Sequence, residues 1–246
     1  MTLELSALLN MAACGKAAGD NYFAHMDGAA SAINYIRIAD FVASYRPDGT
    51  VLDWGCGYGQ VSWLLRRRGL DVVSCDLGQS PGVRAIPELN SQQVDYLGHP
   101  YKLPYQAGRF AAVLSVGVLE HVDNFDASLE EIKQVLRPTG LFFVFMLPNR
   151  YSWAEKIADL RGVSVHPYKF NFRTATELLK RHGFAVNRRW RRNVMPRNLT
   201  GINMKIKVLY GKFYRQVEMV DEVLCATPIV REIGGVIEMV AVRDEH

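Results

Sequence analysis

The sequence predicts a doubly wound α/β fold: a mostly parallel, seven-stranded sheet with helices on both faces, an N-terminal helical cap, and a helical insertion before the last strand. Three observations predict it. From Thr50 onward short apolar segments alternate with helical ones, as parallel crossovers require. Those segments are near-continuous apolar runs, the signature of strands buried on both faces. A loop with glycine at every second position, "GCGYG", follows the first strand directly. With 246 residues, 49% of them apolar, one domain over 1–246 can bury a sizeable core.

Residues 1–46 form the cap, with Ile33, Ile36, Ala39, Phe41 and Val42 as its apolar face before "RPDG" breaks the pattern. The stretch 50–148 holds strand "TVLDW", helix "QVSWLLRRRG", strand "DVVSCD", a polar helix near "VRAIPELN" and strand "QQVDYL". Strand "FAAVLSVG", helix "FDASLEEIKQVLRP" and strand "GLFFVFML" complete it, with Asp126 as helix cap and Pro138 and Gly140 as its stop. In 149–246 the pattern loosens, then gives helix "TATELLKRHG", strand "FAVNRRW" and a last strand in "GGVIEMVAVR". Between those two strands Ile202, Ile206, Leu209, Phe213, Val217, Val220 and Leu224 recur at steps of three or four. They form one apolar stripe on a helix inserted at about 198–228.

Composition narrows the function. A net charge of +4 from 29 basic and 25 acidic residues is too small to imply nucleic acid without a local cluster. Cys14, Cys56, Cys75 and Cys225 make no CxxC pair and no metal spacing, so free thiols in a reducing, cytoplasmic setting are expected, with no metal. The runs "AAVLSVGVL" and "LFFVFML" fall short of the ~20 residues of a membrane helix. The N-terminus, with Glu4 and no basic residue before its apolar stretch, does not read as a lipoprotein signal ending at Cys14.

The glycine loop decides the ligand. A dinucleotide loop is GxGxxG, and here Gln60 stands where the third glycine belongs; a P-loop fails because no GK[ST] follows. The fit is DxGxGxG, from Asp53 through Gly55, Cys56, Gly57 and Gly59. A carboxylate there repels a pyrophosphate but accepts hydrogen bonds from an ammonium group, which suits a cofactor with a cationic amino-acid end. Asp76, closing the second strand, can accept both hydroxyls of a ribose.

On these motifs the sequence resembles the class I S-adenosylmethionine-dependent methyltransferases, within the small-molecule group that includes ubiquinone and menaquinone biosynthesis enzymes. The resemblance covers roughly Val51 to Phe184, with a closing strand near Ile233 to Val242. "VLDWGCGYG" resembles the family's first motif, "LPYQAGRFAAVLSVGVLEHV" its fourth-strand block and "LRPTGLFFVFMLPN" its fifth. "HPYKFNFRTATELLKRHGF" resembles its later helix and strand entry. It implies a Rossmann-like fold, S-adenosylmethionine as cofactor, and contacts to it from Asp76 and Leu77 and from Ser115 and Val116. Where the family commonly has an aspartate before its "LP" element, this chain has His99, so His99 and Pro100 are the expected adenine contacts, with Asp95 inside the third strand.

Methyl transfer requires that an acceptor be positioned and, where necessary, deprotonated. His121 in "LEHV" is the candidate base, with Glu120 facing away, and His166 and Tyr168 are candidate walls of the acceptor pocket. Tyr22 and His25 of the cap are placed to close over the methionine end. In "RRWRR", strand alternation puts Arg189 and Arg191 on one face and Arg188, Trp190 and Arg192 on the other, one set being available to an anionic acceptor. Lys205, Lys207, Lys212 and Arg215 accompany the apolar stripe, which reads as a lid, with peripheral membrane contact as the alternative. No D/N-P-P-Y element or Pro-Cys nucleophile marks DNA methylation. The acceptor expected is a small or lipid-like molecule methylated at oxygen, carbon and nitrogen being rivals. An RNA methyltransferase, a binding protein without transfer, and a nicotinamide oxidoreductase stand as other readings.

Overall fold

A computed structural model describes residues 2–20, 26, 28–78, 86–90, 93–162, 166–197 and 204–244. The cap is two helices, α1 (Leu3–Ala17) and α2 (Ala29–Ser44). Thr2 caps α1 by accepting from Leu5 N–H at 3.2 Å. Then come β1 (Val51–Trp54), α3 (Gln60–Arg67), β2 (Val72–Asp76), the single turn α4 (Pro87–Asn90), β3 (Asp95–Tyr96) and β4 (Phe110–Val116). The second half adds α5 (Phe125–Val135), β5 (Leu136–Pro148), α6 (Trp153–Leu160), α7 (Phe172–Arg181), β6 (Phe184–Arg192), α8 (Met204–Lys212), α9 (Tyr214–Ala226) and β7 (Val236–Arg243).

The seven strands form one sheet in the order β3-β2-β1-β4-β5-β7-β6. β1 to β5 are parallel, and β7 is antiparallel to both neighbours, so six strands point one way. Alternate residues enter opposite cores: Val51, Phe143 and Phe145 pack with Leu5, Leu8, Ile38 and Leu64, while Leu52, Phe142 and Val144 pack with Leu129, Ile132 and Leu179. Both faces are therefore covered, which explains the continuous apolar strands. Because β2 and β3 lie on one side of β1 and β4 and β5 on the other, the carboxyl ends of β1 and β4 open onto the crevice where such sheets bind ligands.

Several local expectations are corrected. Asn124, not Asp126, caps α5, its side chain accepting from Ala127 N–H at 3.0 Å. Asp126 instead meets the buried His182 at 2.9 Å. The stop at Pro138 and Gly140 is also displaced: α5 ends at Val135, and Leu136 already belongs to β5, whose register with β4 shifts between Phe110 and Ala112. Strand "QQVDYL" shortens to Asp95–Tyr96 at the sheet edge, where only one neighbour is available. The insertion is two helices, broken at Phe213, so its stripe is not one packed face. Val217 is buried, but Ile206, Leu209, Phe213 and Val220 are exposed, and Ile202 lies outside the described residues. No described helix is long and apolar enough to cross a membrane.

Candidate active site

β1 delivers the glycine loop. Gly55 and Cys56 N–H both donate to the Cys75 carbonyl, at 2.9 and 3.0 Å, so the loop leaves the sheet still tied to β2. A Cβ on Gly55 would lie 2.6 Å from Val118, which makes glycine the condition for close packing of this loop on the turn after β4. Gly57 differs: at φ +57° a Cβ there would meet nothing within 4 Å, so its bare face borders open space. Its N–H donates to Asp76 Oδ2 at 2.7 Å, and Leu77 N–H donates to Oδ1 at 2.7 Å. A carboxylate has lone pairs left for further donors. Leu77 is 58% exposed beside it, an apolar platform at the carboxyl end of β2. His99 and Pro100 are exposed on the loop after β3, with His99 Nδ1 accepting from Tyr101 N–H at 3.1 Å. At the end of β4 Ser115 is buried with its hydroxyl unpartnered, next to half-buried Val116.

Asp53 is placed differently from the expectation that it meets the ligand directly. It is 1% exposed beneath the loop and accepts from Ser62 Oγ at 2.6 Å. Ser62 in turn accepts from Ser74 at 2.7 Å, and Ser74 from Arg66 at 3.0 Å. Burial pushes its carboxyl up to about 6 despite the Ser62 hydrogen bond and the Arg66 charge. Its influence on a cationic ligand is therefore through the field of the interior.

A second polar group stands one turn beyond Val118. The 3-10 turn Leu119–His121 advances about a third of a revolution per residue, so consecutive Glu120 and His121 both reach the same cluster. Glu120 does not face away, as strand-like alternation would have it: it is 2% exposed, and its Oε2 has no hydrogen-bond partner. His166 arrives from the other half of the chain. Phe170 N–H donates to the Pro148 carbonyl at 2.9 Å and Arg150 N–H to the Phe170 carbonyl at 2.7 Å, pinning this segment over the end of β5. One ligand atom each of Glu120, His121 and His166 lie within 4.8 Å of one another. Glu155, on α6, holds His166 Nδ1 at 3.0 Å. Tyr168, 39% exposed, packs edge-on against Phe125 at 5.0 Å.

Burial pushes the Glu120 carboxyl up to about 7, its backbone hydrogen bond and His166 only partly offsetting this. Burial, with the neighbouring His166, lowers His121 and favours its neutral imidazole. For His166 burial pulls down, but the Glu155 hydrogen bond and charge outweigh it and raise the ring above its ordinary value.

Comparison with known proteins bears on this geometry. A family profile described as "Methyltransferase domain" matches residues 29–188, which span the loop, Asp76, Glu120, His121 and His166. The chain belongs to the methyltransferase-domain family. It is 34% identical over 152 residues to a ubiquinone biosynthesis O-methyltransferase of Xanthomonas axonopodis pv. citri (strain 306), covering 56% of this chain and 63% of that protein. The chain thus spans less than two thirds of that relative's length. In fold it is similar to a SAM-dependent methyltransferase from Thermotoga maritima, with TM-score 0.61 at 14% identity over 96% of this chain and 100% of that one. It is also similar to Haemonchus contortus phosphoethanolamine N-methyltransferase 2, solved in complex with S-adenosyl-L-methionine. There the TM-score is 0.54 at 18% identity, covering 85% of this chain and 53% of that one.

The residues present are compatible with S-adenosylmethionine, the nucleoside held in the Haemonchus contortus structure. Gly57 has open space on its bare face, the Asp76 carboxylate accepts from its N–H, and Leu77 is exposed next to Asp76, while the unpartnered Ser115 hydroxyl is buried at the end of β4. Tyr22 and His25 lie outside the described residues. The faces of "RRWRR" alternate as expected, but their partners are internal. Arg191 pairs with Glu232 at 2.7 Å and Arg192 with Glu218 at 2.8 Å. Arg188 lies over the rings of Phe41 and Trp190, Arg189 donates to Thr176 at 2.9 Å, and Trp190 donates to buried Glu238 at 2.7 Å.

Proposed function

We propose that this chain catalyses S-adenosylmethionine-dependent O-methylation of a small, lipid-like acceptor bearing an acidic hydroxyl. The observation that carries this reading is the direct contact between two halves of a site. Val118 fills the space that a side chain on Gly55 would need, so the glycine loop and the turn bearing Glu120 and His121 are packed together. The relative named for ubiquinone biosynthesis supports oxygen as the methylated atom and a lipid-like acceptor.

When bound, the cofactor supplies a methyl group already activated on a sulfonium. The chain's own residues do the rest. Asp76 accepts the ribose hydroxyls, Leu77, His99 and Pro100 bracket the base, and Cys56, Gly57, Ser115 and Val116 line the cleft. The acceptor hydroxyl stands against Glu120, His121 and His166, where a neutral imidazole and a buried carboxylate favour loss of its proton. Arg191 and Arg192 already neutralise Glu232 and Glu218, so an anionic acceptor group draws little support from that cluster.

The test is incubation with S-adenosylmethionine and a catechol-type acceptor, with S-adenosylhomocysteine and methyl ether quantified by mass spectrometry. Equal amounts of both are expected, and His121→Ala should slow their formation about a hundredfold. Wild type forming neither product with any phenolic acceptor, or His121→Ala matching wild type, contradicts the reading.

A further inference from the structure

We infer that a cavity at the amino ends of β2 and β3, at the far end of the sheet from the cofactor crevice, is a second ligand site that takes a small hydroxylated anion, an organic phosphate or carboxylate.

The cavity exists because β3 is short. Its pairing with β2 begins only at Cys75 and Asp95, so the edge of β2 from Val72 to Ser74 has no strand beside it among the described residues. The gap left there is about 380 Å³, the size of a metabolite pocket. It is walled by those first residues of β2, by Gln93 and Asp95 at the entry of β3, by Arg109 just before β4 and by Arg66 from the last turn of α3. No residue proposed for the cofactor or the acceptor is among its described lining.

Its charge is positive on balance, with two guanidiniums, Arg66 and Arg109, to one carboxylate, Asp95. Arg66 is fixed to the strand, its Nη2 donating to the Val72 carbonyl at 2.8 Å and to Ser74 Oγ at 3.0 Å. Arg109 lies over the rings of Tyr105 at 5.1 Å and Phe110 at 5.2 Å, and pairs with no carboxylate among the described residues. A guanidinium held by ring contacts keeps its N–H fork for an oxyanion, which it can bind at two points. Asp95 accepts from the Tyr105 hydroxyl at 2.9 Å, which leaves carboxylate lone pairs for a ligand hydroxyl. An oxyanion for the arginines and a hydroxyl for the aspartate define the ligand class.

The site is also wired to the glycine loop. Ser74 Oγ, which holds Arg66, donates to Ser62 Oγ at 2.7 Å, and Ser62 donates to Asp53 beneath the loop at 2.6 Å; the Arg66 charge favours the ionised Asp53. An anion against Arg66 offsets that charge, so Asp53 takes up its proton more readily and attracts a cationic nucleoside less. This coupling, unlike the site itself, rests on the proposed cofactor.

The experiment is calorimetric titration of the full chain with glycerol 3-phosphate and, separately, with malate, at constant ionic strength and neutral pH. Saturable one-to-one binding of one or both is expected, the tighter of the two telling phosphate from carboxylate, with affinity at least about tenfold weaker in Arg109→Gln. Thermal melts establish that each variant is folded, and Asp76→Ala, in the cofactor crevice, should bind the anion as wild type does. No saturable binding by wild type up to about 10 mM, affinity unchanged in folded Arg109→Gln, or an equal loss in Asp76→Ala overturns the inference. S-adenosylmethionine is then titrated with and without saturating anion: binding weakened at least about threefold in wild type but not in Arg109→Gln is expected, and unchanged affinity overturns the coupling. Because the anion titration contains no nucleoside, failure of this site and failure of the cofactor reading are told apart.

Discussion

Asp53 shows how one side chain can serve a fold at an energetic cost. Its carboxyl is raised from an ordinary 3.8 to about 6 by burial, so between those values the folded chain holds a proton that the unfolded chain has released. The Asp53 contribution to stability is therefore fully present below about pH 4 and is lost as pH rises through 6, by about 3 kcal/mol in order of magnitude. Asp53→Asn, which keeps an acceptor for Ser62, should remove that dependence. Denaturant unfolding of both proteins from pH 4 to 7 should show wild type losing stability relative to the variant; a constant or opposite difference contradicts the assignment. Asp76 and Gly57 were legible because their spacing reports a backbone requirement. Glu120 was not, because neighbours on a 3-10 turn do not alternate and the His166 it stands beside is far away in the chain.

At the scale of elements, α9 is held to the sheet by charge as well as by apolar contact. Asp221 is fully buried and accepts from Met195 N–H and Arg197 Nη2, both at 2.7 Å, and from Asn193 N–H at 3.2 Å. Glu218 pairs with both Arg192 and Arg197. Asp221→Ala removes the acceptor of two backbone donors and leaves Arg197 partly unpaired, which should cost about 3–5 kcal/mol in denaturant unfolding. A loss under about 1 kcal/mol would show that α9 is held by its apolar contacts alone. The sequence marked the insertion as helical but not its break at Phe213, because helical periodicity continues across it while the backbone turns. α6 escaped notice for a different reason: it is only eight residues long, and its apolar face of Trp153, Ile157 and Leu160 buries no residue, Leu160 being 88% exposed.

For the whole molecule the legible part was the sheet. The central strands were readable because β1, β4 and the Leu141–Leu147 part of β5 are near-continuous apolar runs, and their common direction followed from the helical crossovers between them. Asn149 Nδ2 bonds to the Glu232 and Gly234 carbonyls at 2.9 and 2.8 Å hold the segment before β7 at the end of β5, and the Phe170 backbone bonds hold the His166 segment there. Such long-range ties leave no periodic trace in sequence, which is why the acceptor side was read less fully than the cofactor side. The central claim is that the edge formed by the loop and Asp76 holds a sulfonium nucleoside. Calorimetric titration of S-adenosylmethionine into wild type and Asp76→Ala tests it most directly: saturable one-to-one binding, weakened about ten- to a hundredfold in the variant, is expected. Absence of heat at millimolar nucleoside, or equal affinity in the two proteins, would contradict it.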